Sequence, residues 1–105
     1  MGQMYLQKFV YRDGAAKAEI DEAWATAFKA FARSGNWGGV DKGVSHQQTY
    51  GTGWGGYVLL DVDDPDAFGA YQAFHLQNFA HAVQITWEPL FDMDRAFADT
   101  IANLR

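Results

Sequence analysis

The chain contains no cysteine, so disulfide frameworks, thiolate metal sites and cysteine nucleophiles are all excluded. A reducing, cytoplasmic setting is the expectation that accompanies this absence. Only two prolines occur among 105 residues, and no proline-rich or low-complexity linker interrupts the chain. No apolar run approaches the length of a membrane span, and the opening residues Met1 to Tyr5 lack the basic and apolar regions of a secretory signal. Basic residues are few: eight Lys and Arg face thirteen Asp and Glu, for a formal charge of −5, and no cationic cluster stands out. Binding to a phosphate backbone leans on such clusters, so no nucleic-acid partner is expected. What the chain has is apolar and aromatic content, 49% and 16% of residues, enough to build one hydrophobic core. Residues 1–105 therefore read as a single domain.

Glycine and aspartate punctuate that domain. Gln3 to Tyr11 alternate and are rich in Tyr, Phe and Val, which predicts a strand ended by the Asp13-Gly14 turn. From about Ala18 to Ser34, Ile20, Trp24, Ala27, Phe28 and Phe31 recur at helical spacing, with acids opening the segment, Lys29 and Arg33 closing it and Gly35 as the stop. Lys42 to Tyr50 and Trp54 to Val62 read as strands joined by Gly51-Thr52-Gly53 in a hairpin. Asp63-Asp64-Pro65 supplies an N-cap and a first-turn proline for a helix reaching about Ala80. Val83 to Phe91 returns to strand, and Met93 to Leu104 forms a closing amphipathic helix. The order βαββαβ, with an added C-terminal helix, is that of an α+β ferredoxin-like domain with a four-stranded antiparallel sheet and both main helices on one face. The other face would carry Tyr57 and Leu59, too apolar for water, and pairing two sheets would bury it.

The stretch Gly53-Trp54-Gly55-Gly56-Tyr57-Val58-Leu59-Leu60-Asp61-Val62-Asp63-Asp64-Pro65, with Trp87-Glu88-Pro89-Leu90 downstream, resembles small bacterial members of the dimeric α+β barrel superfamily. In that architecture two ferredoxin-like subunits pack sheet against sheet, so the resemblance implies a homodimer. Its relatives include muconolactone isomerases, polyketide cyclases, cofactor-free antibiotic-biosynthesis monooxygenases, haem-degrading monooxygenases and a small protein of prodiginine biosynthesis. The fold constrains function weakly. The haem-degrading branch calls for an Asn, Trp and His set. Trp54 and His75 are present, but the first strand offers Gln3 and Gln7 where an Asn is wanted, so no cofactor is assigned.

Pairing Tyr50 with Trp54 across the hairpin collects Val44, His46, Gln48, Tyr50, Trp54, Val58, Leu60 and Val62 on one sheet face, and Ser45, Gln47, Thr49, Tyr57, Leu59 and Asp61 on the other. His46 would then lie beneath the helices, as an acid or base or as a satisfied core histidine. On the second helix, His75 and Asn78 fall inside the apolar arc of Ala67, Phe68, Tyr71, Phe74 and Phe79. They either serve a ligand or satisfy each other and nearby backbone. His81 reads as a cation at the helix end. His75 and His81, six apart, lie on different helix faces, and no HxH or HxxxH spacing occurs, so no metal site is assigned. The acids at Asp61, Asp63, Asp64 and Asp66 read as a solvated turn and cap. The glycines at 51 to 56 do not open a helix as a phosphate loop does, and Gly43-Val44-Ser45-His46 lacks the closing glycine of a serine elbow.

The expected site is thus a pocket between sheet and helices. His46 and His75 are its catalytic candidates, and Tyr50, Trp54, Tyr71, Asn78 and Trp87 bind a planar small-molecule substrate. Two functions fit: a metal-free enzyme of secondary or catabolic metabolism working by histidine acid–base chemistry, of isomerase, cyclase or cofactor-free monooxygenase type, or a non-catalytic ligand-binding or biosynthetic accessory dimer.

Overall fold

A computed structural model describes residues 2–105. β1 (Gln3–Tyr11), α1 (Lys17–Ser34), β2 (Val44–Thr52), β3 (Gly55–Val62), α2 (Pro65–Asn78), β4 (Val83–Pro89) and α3 (Met93–Ala102) follow in that order. The four strands form one antiparallel sheet ordered β2-β3-β1-β4, which is the ferredoxin-like arrangement with α1 and α2 on one face.

Strand alternation decides what lies beneath the helices. β1 turns Tyr5, Gln7, Phe9 and Tyr11 inward, and its register sets Gln7 opposite Val58 on β3 and Trp87 on β4. Buried Val58, Leu60 and Val62 continue the floor. Met4, Leu6, Lys8 and Val10 point the other way, in line with Tyr57 and Leu59, as the sequence predicts for that face.

α1 opens with the Glu19 carboxylate accepting from the Ala16 N–H at 3.1 Å and closes at Gly35, whose φ of 85° only glycine adopts freely. Its buried face is not the aromatic stripe of the sequence reading. Ala23, Ala27 and Ala30 meet the sheet, while Trp24 and Phe31 lie to the side and Phe28 is exposed. Trp24, Phe28 and Phe31 instead crowd around Trp37 of the following loop, with ring centroids 4.5–5.8 Å from it. Small residues let the helix approach the sheet closely and leave space where large ones would have packed.

The loop after α1 is fixed by Asn36, which is buried. Its amide donates to the carbonyls of Val40 (2.7 Å) and Val44 (3.2 Å), and its oxygen accepts from the N–H groups of Gly38 (3.1 Å) and Val40 (3.2 Å). At Gly38 the loop crosses the Tyr71 ring so closely that a Cβ would lie 2.3 Å from Cδ2.

α2 begins as expected: Asp64 caps the Asp66 N–H at 3.0 Å and Pro65 occupies the first turn. His81 does not cap its other end. That residue is exposed, and the cation at the C-terminus is Arg12, whose Nε donates to the Ala80 carbonyl at 2.6 Å. Every residue from Glu88 to Arg105 is exposed, so α3 buries nothing against its own chain.

Candidate functional site

The hairpin register departs from the sequence reading and redistributes the proposed site. Tyr50 pairs with Tyr57, and Thr52 with Gly55, leaving Gly53-Trp54 as the turn. Between His46 and Gln48 the ladder shifts by one residue, a β-bulge at Gln47. Before the bulge Val44 and His46 face the helices; after it Thr49 does, opposite Val58, while Gln48 and Tyr50 turn to the open face beside Leu59 and Tyr57. Trp54 is 79% exposed at the turn and Tyr50 is 55% exposed. Neither shares a cavity with the histidines. Asn78 does not face one as a free group either, since its Nδ2 donates to the Phe74 carbonyl at 2.9 Å, a local helix-end bond.

His75, Tyr71 and Trp87 do come together, and the residue that joins them is Gln7. The Tyr71 hydroxyl and the Trp87 indole N–H both donate to Gln7 Oε1, at 2.8 and 2.9 Å. An indole N–H can only donate, so the amide orientation of Gln7 is fixed and its Nε2 is the atom facing His75 Nε2 at 3.3 Å. His75 Nδ1 lies 2.9 Å from the Tyr71 carbonyl, which can only accept. The imidazole is therefore the neutral Nδ1–H tautomer, with Nε2 as acceptor. Protonation would set two donors head to head at Gln7. Burial, at 2% exposure, pushes the His75 pKa down from 6.5 to about 4, with the Tyr71 carbonyl opposing in part. Burial likewise pushes the Tyr71 hydroxyl well above its usual value, against the bond to Gln7.

The signal for Gln7 stood in the sequence: one polar residue at an inward position between Tyr5, Phe9 and Tyr11. Three buried or half-buried partners make it the hub of the network.

Beside the network, the alanine face of α1 leaves a recess of about 50 Å³ between helix and sheet, partly open to solvent. Phe9, Val58, Val83 and Ile85 form its floor, Ala23, Ala27 and Trp24 its roof, and Trp37, Phe79 and the His75 ring parts of its sides, with Thr49 at its edge; the lining is almost wholly apolar. Volume of this order admits roughly three or four waters; an apolar cavity that takes a benzene ring measures about 150 Å³, so a flat ring enters only as side chains at the rim give way. At its rim the Trp24 indole N–H donates to the Tyr11 hydroxyl at 2.9 Å, and the Trp37 indole N–H to Thr49 Oγ1 at 3.0 Å. His46 stands behind Thr49 with Nε2 2.7 Å from Oγ1, edge-on to Phe31 and Trp37. Partial burial lowers its pKa. The two histidines thus do not meet: His75 borders the recess from α2 and His46 stands behind Thr49 on β2, outside its lining, not across a shared pocket with Tyr50 and Trp54.

Among the described residues no three metal-binding side chains converge, and no helix is long and apolar enough to cross a membrane.

Neither a family model nor a curated protein sequence matches the chain. Among solved structures it is similar to SnoaB, a cofactor-independent oxygenase from Streptomyces nogalater, with 15% identity, a TM-score of 0.48 and coverage of 86% of this chain and 91% of that one. It is also similar to a dimeric ferredoxin-like protein of unknown function from Thermobifida fusca, with 18% identity, a TM-score of 0.45 and coverage of 86% and 93%.

Proposed function

We propose that the protein binds a planar, ring-bearing small molecule with one ring inserted in the recess between the sheet and α1. The observation that carries this reading is an aromatic-sided recess between helix and sheet, with Thr49 at its edge.

Magnitudes decide what His75 contributes. Moving a proton from an ordinary phenol, pKa ~10, to an imidazole at about 4 is uphill by roughly 8 kcal/mol. His75 is accordingly not the base, and with Nδ1 given to the Tyr71 carbonyl and Nε2 accepting from Gln7 it serves as a fixed part of the wall. Acid–base chemistry of the isomerase, cyclase or cofactor-free monooxygenase kind falls to His46, which is less desolvated. The weak basicity of His75 favours the second reading, a biosynthetic accessory protein that holds its ligand without converting it.

The active form in this proposal is a homodimer. Its support is the apolar open face around Leu6, Tyr57 and Leu59, together with α3, whose Phe97 and Ile101 find no partner on their own chain.

Titration with 7-hydroxycoumarin, followed by quenching of tryptophan emission, tests the site, because Trp24 and Trp37 line it. Quenching that saturates in the wild type and disappears in Ala27→Leu, which fills the recess from the helix side, supports the reading. Equal binding by both proteins refutes it. Incubation followed by product detection separates conversion from binding.

A further inference from the structure

Thr49 Oγ1 has two neighbours, and their chemistry orders its proton. The Trp37 indole N–H can only donate, so it occupies one lone pair of Oγ1. The Thr49 hydroxyl hydrogen then has one protein acceptor within reach, His46 Nε2 at 2.7 Å. If Nε2 carried the hydrogen instead, the threonine O–H would have no protein acceptor in the apolar lining of the recess. With Thr49 donating, every hydrogen in the chain is satisfied, and the second lone pair of Oγ1, on a residue that lines the recess, stays unused. His46 is then the Nδ1–H tautomer. Nδ1 has no protein partner, and among the described residues no buried side-chain nitrogen or oxygen lacks one, so Nδ1 reaches solvent. The elements packed against His46 present the Phe31 and Trp37 rings and, across the ladder, Leu60, none of them charged.

We propose that Thr49 and His46 form a proton relay from the recess to solvent, acting on the phenolic or enolic hydroxyl of a planar ligand. This rests on the ring-binding reading above. The ligand O–H bond breaks as a new bond forms to Thr49 Oγ1. The original Thr49 O–H bond breaks in the same step as its proton passes to His46 Nε2. Ligand anion and imidazolium result; loss of the Nδ1 proton to water leaves neutral Nε2–H His46, and tautomer exchange through solvent returns the starting Nδ1–H form. No electrons change hands. The bulge at Gln47 is what makes the relay, since without it Thr49 would face the opposite side of the sheet.

Two measurements test it. Without any ligand, ¹⁵N imidazole shifts in the full chain are expected to show His46 as the Nδ1–H tautomer, and Thr49→Val to release that bias; an Nε2–H tautomer in the wild type overturns the relay. With 7-hydroxycoumarin bound, the separate absorption bands of phenol and phenolate report its ionisation. Thr49→Val and His46→Gln are expected to lower the bound phenolate-to-phenol ratio about tenfold at a given pH, one pKa unit, and Thr49→Ser to keep the wild-type ratio. Equal ratios in all four proteins overturn the relay while leaving ring binding intact. Absence of tryptophan quenching in every protein refutes ring binding, and the ligand-free tautomer still decides the hydrogen order on which the relay stands.

Discussion

Replacing Gln7 by leucine removes a hub while keeping side-chain volume similar, and the consequences follow from its three bonds. The Tyr71 hydroxyl, on a residue with 0% exposure, loses its acceptor and has no water to replace it. His75 Nε2 loses its donor, and the Trp87 indole, only half-buried, recovers part of its bond from solvent. A buried polar group left unpaired costs about 1–3 kcal/mol, so Gln7→Leu is expected to destabilise the fold by roughly 3–5 kcal/mol. That is a large share of the ~5–15 kcal/mol that holds a domain together. Urea unfolding at pH 7 and fixed protein concentration measures it, with exposed Gln77→Leu on α2 as a control expected within about 0.5 kcal/mol of wild type. Removing both ends of a bond is cheaper than removing one. Gln7→Leu with Tyr71→Phe should therefore cost less than the sum of the single changes by about 1–2 kcal/mol. A Gln7→Leu protein within 1 kcal/mol of wild type, or strictly additive costs, would refute the network as described.

The depressed His75 pKa makes stability depend on acid. Between about 4 and 6.5 the unfolded chain binds more protons at this residue than the folded one, so its contribution is fully present above pH 6.5 and falls away towards pH 4, by about 3 kcal/mol in all. Urea midpoints across that window in wild type and His75→Phe should differ in slope, and parallel curves would contradict the assignment. Leu59→Lys, which places a charge in the proposed shared face, should lower the mass seen by light scattering from about twice 11.7 kDa towards the monomer, without altering circular dichroism. Gly38→Ala should lower the thermal midpoint, because a Cβ meets the Tyr71 ring and the Asn36 bonds hold the loop where it is; overpacking of this kind costs about 1–3 kcal/mol.

The parts of the fold that were legible are those written in local chemistry. Alternation in Gln3–Tyr11, the glycine stop at Gly35 and the Asp64-Pro65 cap each operate within a few residues, and the elements they mark occur where expected. The bulge at Gln47 has no such signature, because three consecutive polar residues follow His46 and nothing in their pattern says which one lies outside the ladder. One unassigned residue moved Tyr50 to the far side of the sheet and brought Thr49 in. On α1 the aromatic residues drew attention to the wrong stripe, because hydrophobic size predicts burial only until close approach to a sheet favours alanine. His75 was found from the arc of α2, but its partner Gln7 lies 68 residues away, and only the pairing of β1 with β3 and β4 sets it beneath the helix.

Asn36 carries a kinetic consequence for whatever reaches the recess. Its four bonds tie the backbone of the loop to itself and to the start of β2, so Trp37 is mounted on a rigid base. For the proposed ligand, Trp37 at the rim of the recess would yield by rotation of its indole about the side-chain torsions, giving up the 3.0 Å bond to Thr49, and not by a swinging loop. Side-chain rotation is far faster than the microsecond-to-millisecond reorganisation of a lid. Association of the proposed ligand past such a side chain would be paced by diffusion and orientation, with selectivity left to the shape behind it.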